Sequence, residues 1–198
     1  MKKTFILFLS ILLAAVSIAC SGNPYATQNQ DPYDLAKKQL AALPEQYTPD
    51  QAASDGALVF SSGMAQTPLS IADDFISTTK KGVPDTLRIV QYTIEGDPVI
   101  FQIIFDGSVY HCLADRSRDA FAGDHTGIEE FTFSDLKQEW MIANEKQKDR
   151  QTEKVVYLTN VPDAEFDQLQ NAHSFPAQND LKTSSDFMYL YSFSTDTL

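Results

Sequence analysis

The spacing of hydrophobic positions changes several times along the chain, and each change marks an element. Tyr33, Ala36, Leu40 and Leu43 recur at three- and four-residue intervals between Asp31-Pro32 and Pro44. This stripe predicts an amphipathic helix with Asp31 as cap, Pro32 in the first turn and Pro44 as its stop. A short helical turn is expected at Pro49–Ala53, closed by Gly56, and a short strand at Ala57–Phe60. Thr67-Pro68 repeats the capping signature, and Leu69, Ala72, Phe75, Ile76 and Thr79 form the buried stripe of a main core helix from Pro68 to Lys80. Gly82 and Pro84 then end it.

The period falls from 3.6 to 2 at Leu87. Alternation through Ile94, followed by the apolar run Val99–Phe105, predicts two strands joined by the turn Glu95-Gly96-Asp97-Pro98. Asp106-Gly107 is a hairpin signal leading to a strand at Val109–Leu113, which completes a three-stranded antiparallel meander. Ile128–Phe133 adds a fourth strand. Ser134 is expected to cap a helix with Leu136, Trp140 and Ala143 inside, and the polar stretch Asn144–Thr152 to be exposed. Val155–Leu158 and Phe187–Phe193 supply later strands, with a short helix over Pro162–Ala172 burying Phe166 and Leu169. The fold class is therefore α+β. An antiparallel meander packs one face on the helix from Pro68 to Lys80, loosely like a cystatin, with additional C-terminal strands, all in a single domain over 31–198.

One apolar run precedes this domain and follows a different logic. Phe5–Ile18 lies between Lys2-Lys3 and the small residues up to Ala19, ahead of Cys20. As a helix it would be roughly 21 Å long, short of the roughly 30 Å needed to cross a bilayer. It reads as an export signal over 1–19. Cys20 at the cleavage position, followed by the polar tether Ser21–Gln30, points to lipidation of Cys20 and a place on the extracytoplasmic face of a bacterial membrane. The alternative is a secreted protein with an N-terminal free thiol. The second cysteine, Cys112, sits in a strand-like segment and reads as a small buried hydrophobe, with His111 on the opposite face.

The formal charge is −12, with 27 acidic residues against 15 basic ones. Basic residues form only short pairs such as Lys80-Lys81 or stand dispersed like Arg116 and Arg118, so nucleic acid is a poor partner and anionic polymers would be repelled. Membrane contact is expected through the N-terminal lipid. No cofactor is implied. Ser134-x-x-Lys137 and Ser77-x-x-Lys80 match a penicillin-interacting pattern by chance, because its companion motifs are missing. Asp115-x-Ser117-x-Asp119 opens like a calcium loop, but Ala120 and Thr126 stand where glycine and a bidentate glutamate are needed. His111, His125 and His173 lack ligand spacing. Only His125, with Asp124, Glu129 and Glu130, forms a local acid/base grouping.

The cluster that remains joins two segments. If the third meander strand returns to the edge where the first two meet, Glu95 and Asp97 come near Arg116, Arg118 and Asp119. The plain reading is a turn needing Gly96 for positive φ and Pro98 for rigidity, plus an Arg–Asp pair tying a loop. The functional reading is a charged recognition surface for a protein, peptide, glycan or ion.

Tyr47-Thr48-Pro49-Asp50-Gln51-Ala52, Leu87 to Ile100 with its Tyr92-Thr93-Ile94-Glu95-Gly96-Asp97-Pro98 core, Asp106-Gly107, and Asp115 to Phe121 resemble domain-of-unknown-function family 4362. The resemblance covers about 46–133. It implies a small lipoprotein of Firmicutes and carries no catalytic assignment. The expected function is a membrane-anchored, non-enzymatic binding or interaction module. A small cell-surface hydrolase whose site is assembled only by the fold, or a cation-binding protein, is the alternative.

Overall fold

The structure, a computed structural model, describes residues 31–142, 152–162 and 187–194. The export signal, Cys20, the tether and the helix expected at Pro162–Ala172 lie outside them, apart from Pro162 itself.

Helix α1 (Pro32–Ala41) begins as its pattern predicts, with the Tyr33 N–H donating to Asp31 Oδ1 at 2.9 Å. Helix α2 (Pro49–Ser54) is held by a reciprocal capping box between Thr48 and Gln51. Strand β1 (Leu58–Ser61) turns sharply through Ser62 and Gly63, both at positive φ, into the two-residue strand β2 (Met64–Ala65). Helix α3 (Ser70–Thr79) buries Ala72, Phe75, Ile76 and Thr79. Thr67 does not cap it. Its hydroxyl accepts from the Val59 N–H at 2.8 Å and donates to the Ala57 carbonyl at 3.2 Å, so the side chain is committed to β1.

Strands β3 (Asp85–Tyr92), β4 (Pro98–Phe105), β5 (Tyr110–Asp115) and β6 (Ile128–Phe133) form an antiparallel meander. It is part of a mixed six-stranded sheet in the order β2-β1-β3-β4-β5-β6, because β1 runs parallel to β3 across the α3 crossover. A parallel neighbour cannot be reached by a hairpin, and α3 supplies the longer connection.

The predicted helix after Ser134 is instead strand β7 (Asp135–Ile142), paired along its whole length with β8 (Thr152–Thr159), which pairs in turn with β9 (Phe187–Ser194). Leu136 and Trp140 sit four apart, but they also fit a period of two, and pairing with the β-branched run in β8 decides between them. Ser134 ties the two strands rather than capping a helix. Its hydroxyl donates to the Thr159 carbonyl, and its N–H donates to Asn160 Oδ1.

Both faces of the six-stranded sheet are covered. Leu58, Phe60, Leu87, Ile89, Phe101, Ile103, Cys112 and Ala114 face α3 and the second sheet's Leu136, Val156, Leu158 and Met188. Val59, Val90, Tyr92, Ile100, Ile104 and Leu113 face Ala36, Leu40, Tyr47 and Ala52 of the α1–α2 segment. This two-sided burial explains the apolar run of β4, interrupted only by Gln102, which a sheet with one wet face would have alternated. Each fully buried Ile or Phe there contributes about 1.5–3 kcal/mol relative to exposure.

Candidate functional site

The two segments singled out by sequence do meet. The turn after β3 is closed by Thr93, whose N–H donates to the Asp97 carbonyl at 2.9 Å, and whose carbonyl accepts from the Gly96 N–H at 3.0 Å. Gly96 adopts φ 95°, in the region that favours glycine, and Pro98 starts β4 opposite Tyr92. Asp97 Oδ2 then accepts from the Ala120 N–H at 3.0 Å, which joins this turn to the loop between β5 and β6.

That loop is organised from within. Asp115 Oδ1 accepts from the Ser117 N–H, and Asp119 Oδ1 accepts from the Phe121 N–H, both at 2.9 Å. Arg118 Nη1 donates to Asp115 Oδ2 at 2.6 Å, while its remaining nitrogens donate to the carbonyls of Leu40, Leu43 and Pro44. A guanidinium on the last carbonyls of α1 satisfies groups a helix end leaves open and opposes the negative end of its dipole. Arg116 Nη1 donates to Glu129 Oε2 at 2.7 Å, with its guanidinium carbon 6.0 Å from the Phe101 ring centroid.

The arrangement therefore divides the sequence-predicted residues. Arg116 and Arg118 serve inward ion pairs and Asp119 shapes its own loop, which is the Arg–Asp tie anticipated above. Asp115, first residue of the calcium-like pattern, is engaged by Arg118 and by Ser117. Among the described residues, no group of three or more His, Cys, Asp or Glu is placed to hold a metal ion. Glu95 and Asp124 are exposed, and Asp97 and Asp119 are half-buried.

Apolar side chains are the feature that pattern reading missed. Ile94 is 93 % exposed and Phe121 is 73 % exposed, each beside the Asp97–Ala120 contact. Register places two more at this end of the sheet. Ile128 pairs with Asp115, while Met64 pairs with Ser61, itself aligned with Tyr92. Scattered exposed hydrophobics are ordinary, but Ile94 and Phe121 lie on two joined loops, with Met64 and Ile128 on the outer strands β2 and β6. The signal for Phe121 was an apolar residue within Asp119-Ala120-Phe121-Ala122-Gly123, where it serves no element, whereas Ile94 read as strand and falls in the turn because β3 ends at Tyr92.

The α1–α2 segment adds a shallow depression of about 340 Å³ lined by Pro44, Tyr47, Asp50, Gln51, Ser54 and Asp55. Tyr47 donates its hydroxyl to Asp55 Oδ2 at 2.8 Å, and its carbonyl accepts the Tyr92 hydroxyl at 2.8 Å. Burial pushes the Tyr92 hydroxyl up to about 12, with nearby Tyr47 adding to the shift.

Elsewhere, His111 Nε2 lies 2.9 Å from Asp106 Oδ2, and its Nδ1 is buried without a partner against the edge of Tyr33. Cys112 is fully buried, and burial pushes its thiol far above the usual range, so it has no nucleophilic character in the folded protein. Its Sγ lies 3.4 Å from Met188 Sδ.

These features define an α+β domain with a mixed sheet whose central strands are covered on both faces and one end dressed with apolar, acid-flanked loops. Residues 58–153 match the family described as Domain of unknown function (DUF4362), the family its sequence resembles. The match begins at β1 and includes both loops of the candidate surface. It starts later than the resemblance at residue 46 and runs past residue 133 through β7. No curated protein and no solved structure matches the chain.

Proposed function

We propose that this protein is a non-enzymatic recognition module, held at the extracytoplasmic face of a bacterial membrane by a lipid on Cys20, and that the Ile94 and Phe121 loops are its contact surface. The observation that carries this reading is the pair of highly exposed apolar side chains on loops fastened together by Asp97 and Ala120. A fixed spacing lets two anchors act as one surface at little cost in ordering entropy.

The place of α1 in the fold supports an outward-facing contact surface. The Tyr33 hydroxyl donates to the Phe131 carbonyl at 2.6 Å and is 2.6 Å from the Thr132 hydroxyl, near the Tyr110–Phe133 end of β5 and β6. The Ile94 and Phe121 loops leave the opposite end, about 17–20 Å away along a six-residue strand. An anchor ahead of α1 would join the domain at the end opposite these loops, which leaves them free for a partner.

Two measurements test the proposal. Intact mass and detergent partitioning in a Gram-positive host, wild type against Cys20→Ala, should show a diacylglyceryl increment and membrane attachment that the variant lacks. A photoreactive phenylalanine analogue at position 121 should form adducts on intact cells, whereas the same analogue at exposed Val83, at the other end of β3, should not. An unmodified secreted product would sink the anchor. Equal labelling from both positions would sink the surface.

A further inference from the structure

We propose that the partner of this surface is a cationic polypeptide segment carrying apolar side chains, rather than a lipid, a glycan or a second copy of the chain. The inference rests on the recognition reading above and adds the chemistry of what is recognised.

Charge is the argument. The turn 93–98 contains no cation, and the loop 116–127 contains no lysine and only the arginines already placed in ion pairs with Asp115 and Glu129. Along these two segments Glu95 and Asp97 flank Ile94, and Asp119 and Asp124 flank Phe121, with no lysine in either. Farther along the same covered face, Pro44 accepts from Arg118, and the depression beyond it adds Asp50 and Asp55.

Such a surface discriminates by what it repels. An anionic headgroup would meet like charge while its acyl chains met Ile94 and Phe121. A second copy would bring the same four carboxylates against these, within a chain of net charge −12. A glycan would satisfy neither two bare apolar side chains nor the field around them. A lysine- or arginine-bearing segment with Leu, Phe or Trp between its charges satisfies both, with the apolar residues as anchors and the cations on the rim.

The experiment uses three synthetic peptides of equal length and the full chain carrying Cys20→Ala. One peptide alternates lysine with leucine and tryptophan, one replaces every lysine by glutamate, and one keeps the lysines but replaces the apolar residues by glycine. Amide shifts in two-dimensional NMR locate binding, and fluorescence anisotropy measures it. The lysine–leucine peptide is expected to shift residues 93–97 and 119–128. Its affinity should fall at least tenfold with Phe121→Ser or Ile94→Ser, and severalfold with Glu95→Gln combined with Asp124→Asn. All four positions are exposed, so unchanged amide dispersion will verify that the variants remain folded.

Equal binding of the glutamate peptide, or shifts centred away from the two loops, overturns the proposal. So does self-association in sedimentation that Phe121→Ser abolishes, since the occupant is then another copy. If no peptide binds while position 121 still forms adducts on cells, the cationic-segment inference falls and the recognition reading stands. If the adducts are absent as well, both fall.

Discussion

Asp115 and Arg118, three residues apart, meet at 2.6 Å with their side chains 1 % and 10 % exposed. The pair fastens the loop after β5 to the end of α1, because the same guanidinium also binds the carbonyls of Leu40, Leu43 and Pro44. Arg118→Gln leaves a buried carboxylate without its counter-ion and is expected to cost about 3–5 kcal/mol in chemical unfolding. Arg118→Lys should recover little of it, since an ammonium cannot reach four acceptors in a planar fork. A loss below about 1 kcal/mol for either variant would show that the loop is held by other contacts.

Gly96 offers a cleaner test of backbone strain. A Cβ there would meet nothing within 4 Å, yet φ is 95°. Gly96→Ala should therefore destabilise by about 1–2 kcal/mol through the backbone alone. Loss of the Asp97–Ala120 contact would show as a shifted Ala120 amide. A neutral substitution would mean that the turn relaxes to another geometry.

Asp106 links the turn before β5 to acid stability. Burial works to raise its pKa, but the N–H groups of Val109 and Ser108 together with His111 outweigh it and hold the carboxyl below 3.8. A depressed carboxylate contributes stability above its ordinary value, and that contribution is lost as the pH falls through the lower folded value. Stability should thus decline on acidification below about pH 4, and Asp106→Asn should flatten that part of the profile. An unchanged slope would assign the acid sensitivity to other carboxylates.

Cys112 predicts a reactivity contrast. In the Cys20→Ala chain it is the one remaining thiol, and iodoacetamide should leave it unmodified under native conditions but alkylate it in denaturant. Rapid native labelling at neutral pH would contradict its burial between β5 and the second sheet.

Local signals carried much of this fold. Asp31 and Thr48 cap their helices through bonds to residues two or three positions away, and the meander's turns lie at Gly96 and Gly107, so short-range pattern was sufficient. The parallel pairing of β1 with β3 was not legible, because nothing in a four-residue apolar strand states its partner's direction. The stretch after Ser134 misled for a related reason. Leu136 and Trp140 fit both periods, and the deciding contacts come from β8, which begins at Thr152.

The candidate surface was half legible. The approach of Asp97 to the 116–121 loop followed from counting strands, and register confirms it. The Arg–Asp tie of the loop followed too, but the further acceptors of Arg118 did not, since the carbonyls of Leu40, Leu43 and Pro44 lie more than seventy positions earlier. The exposure of Ile94 and Phe121 depends on which faces the helices cover, a property of the assembled layers.

A sheet clothed on both faces leaves evolution little room along its strands, where a changed side chain disturbs one core or the other. The tips bear no such burden. Side chains at 94, 95, 120–122 and 124–126 can be rewritten, with Gly96 and Gly123 kept for their positive φ, while the strands beneath stay as they are. The architecture therefore behaves as a fixed handle with an interchangeable end, suited to a lineage that must follow a changing partner and to anyone wishing to graft a new specificity onto it.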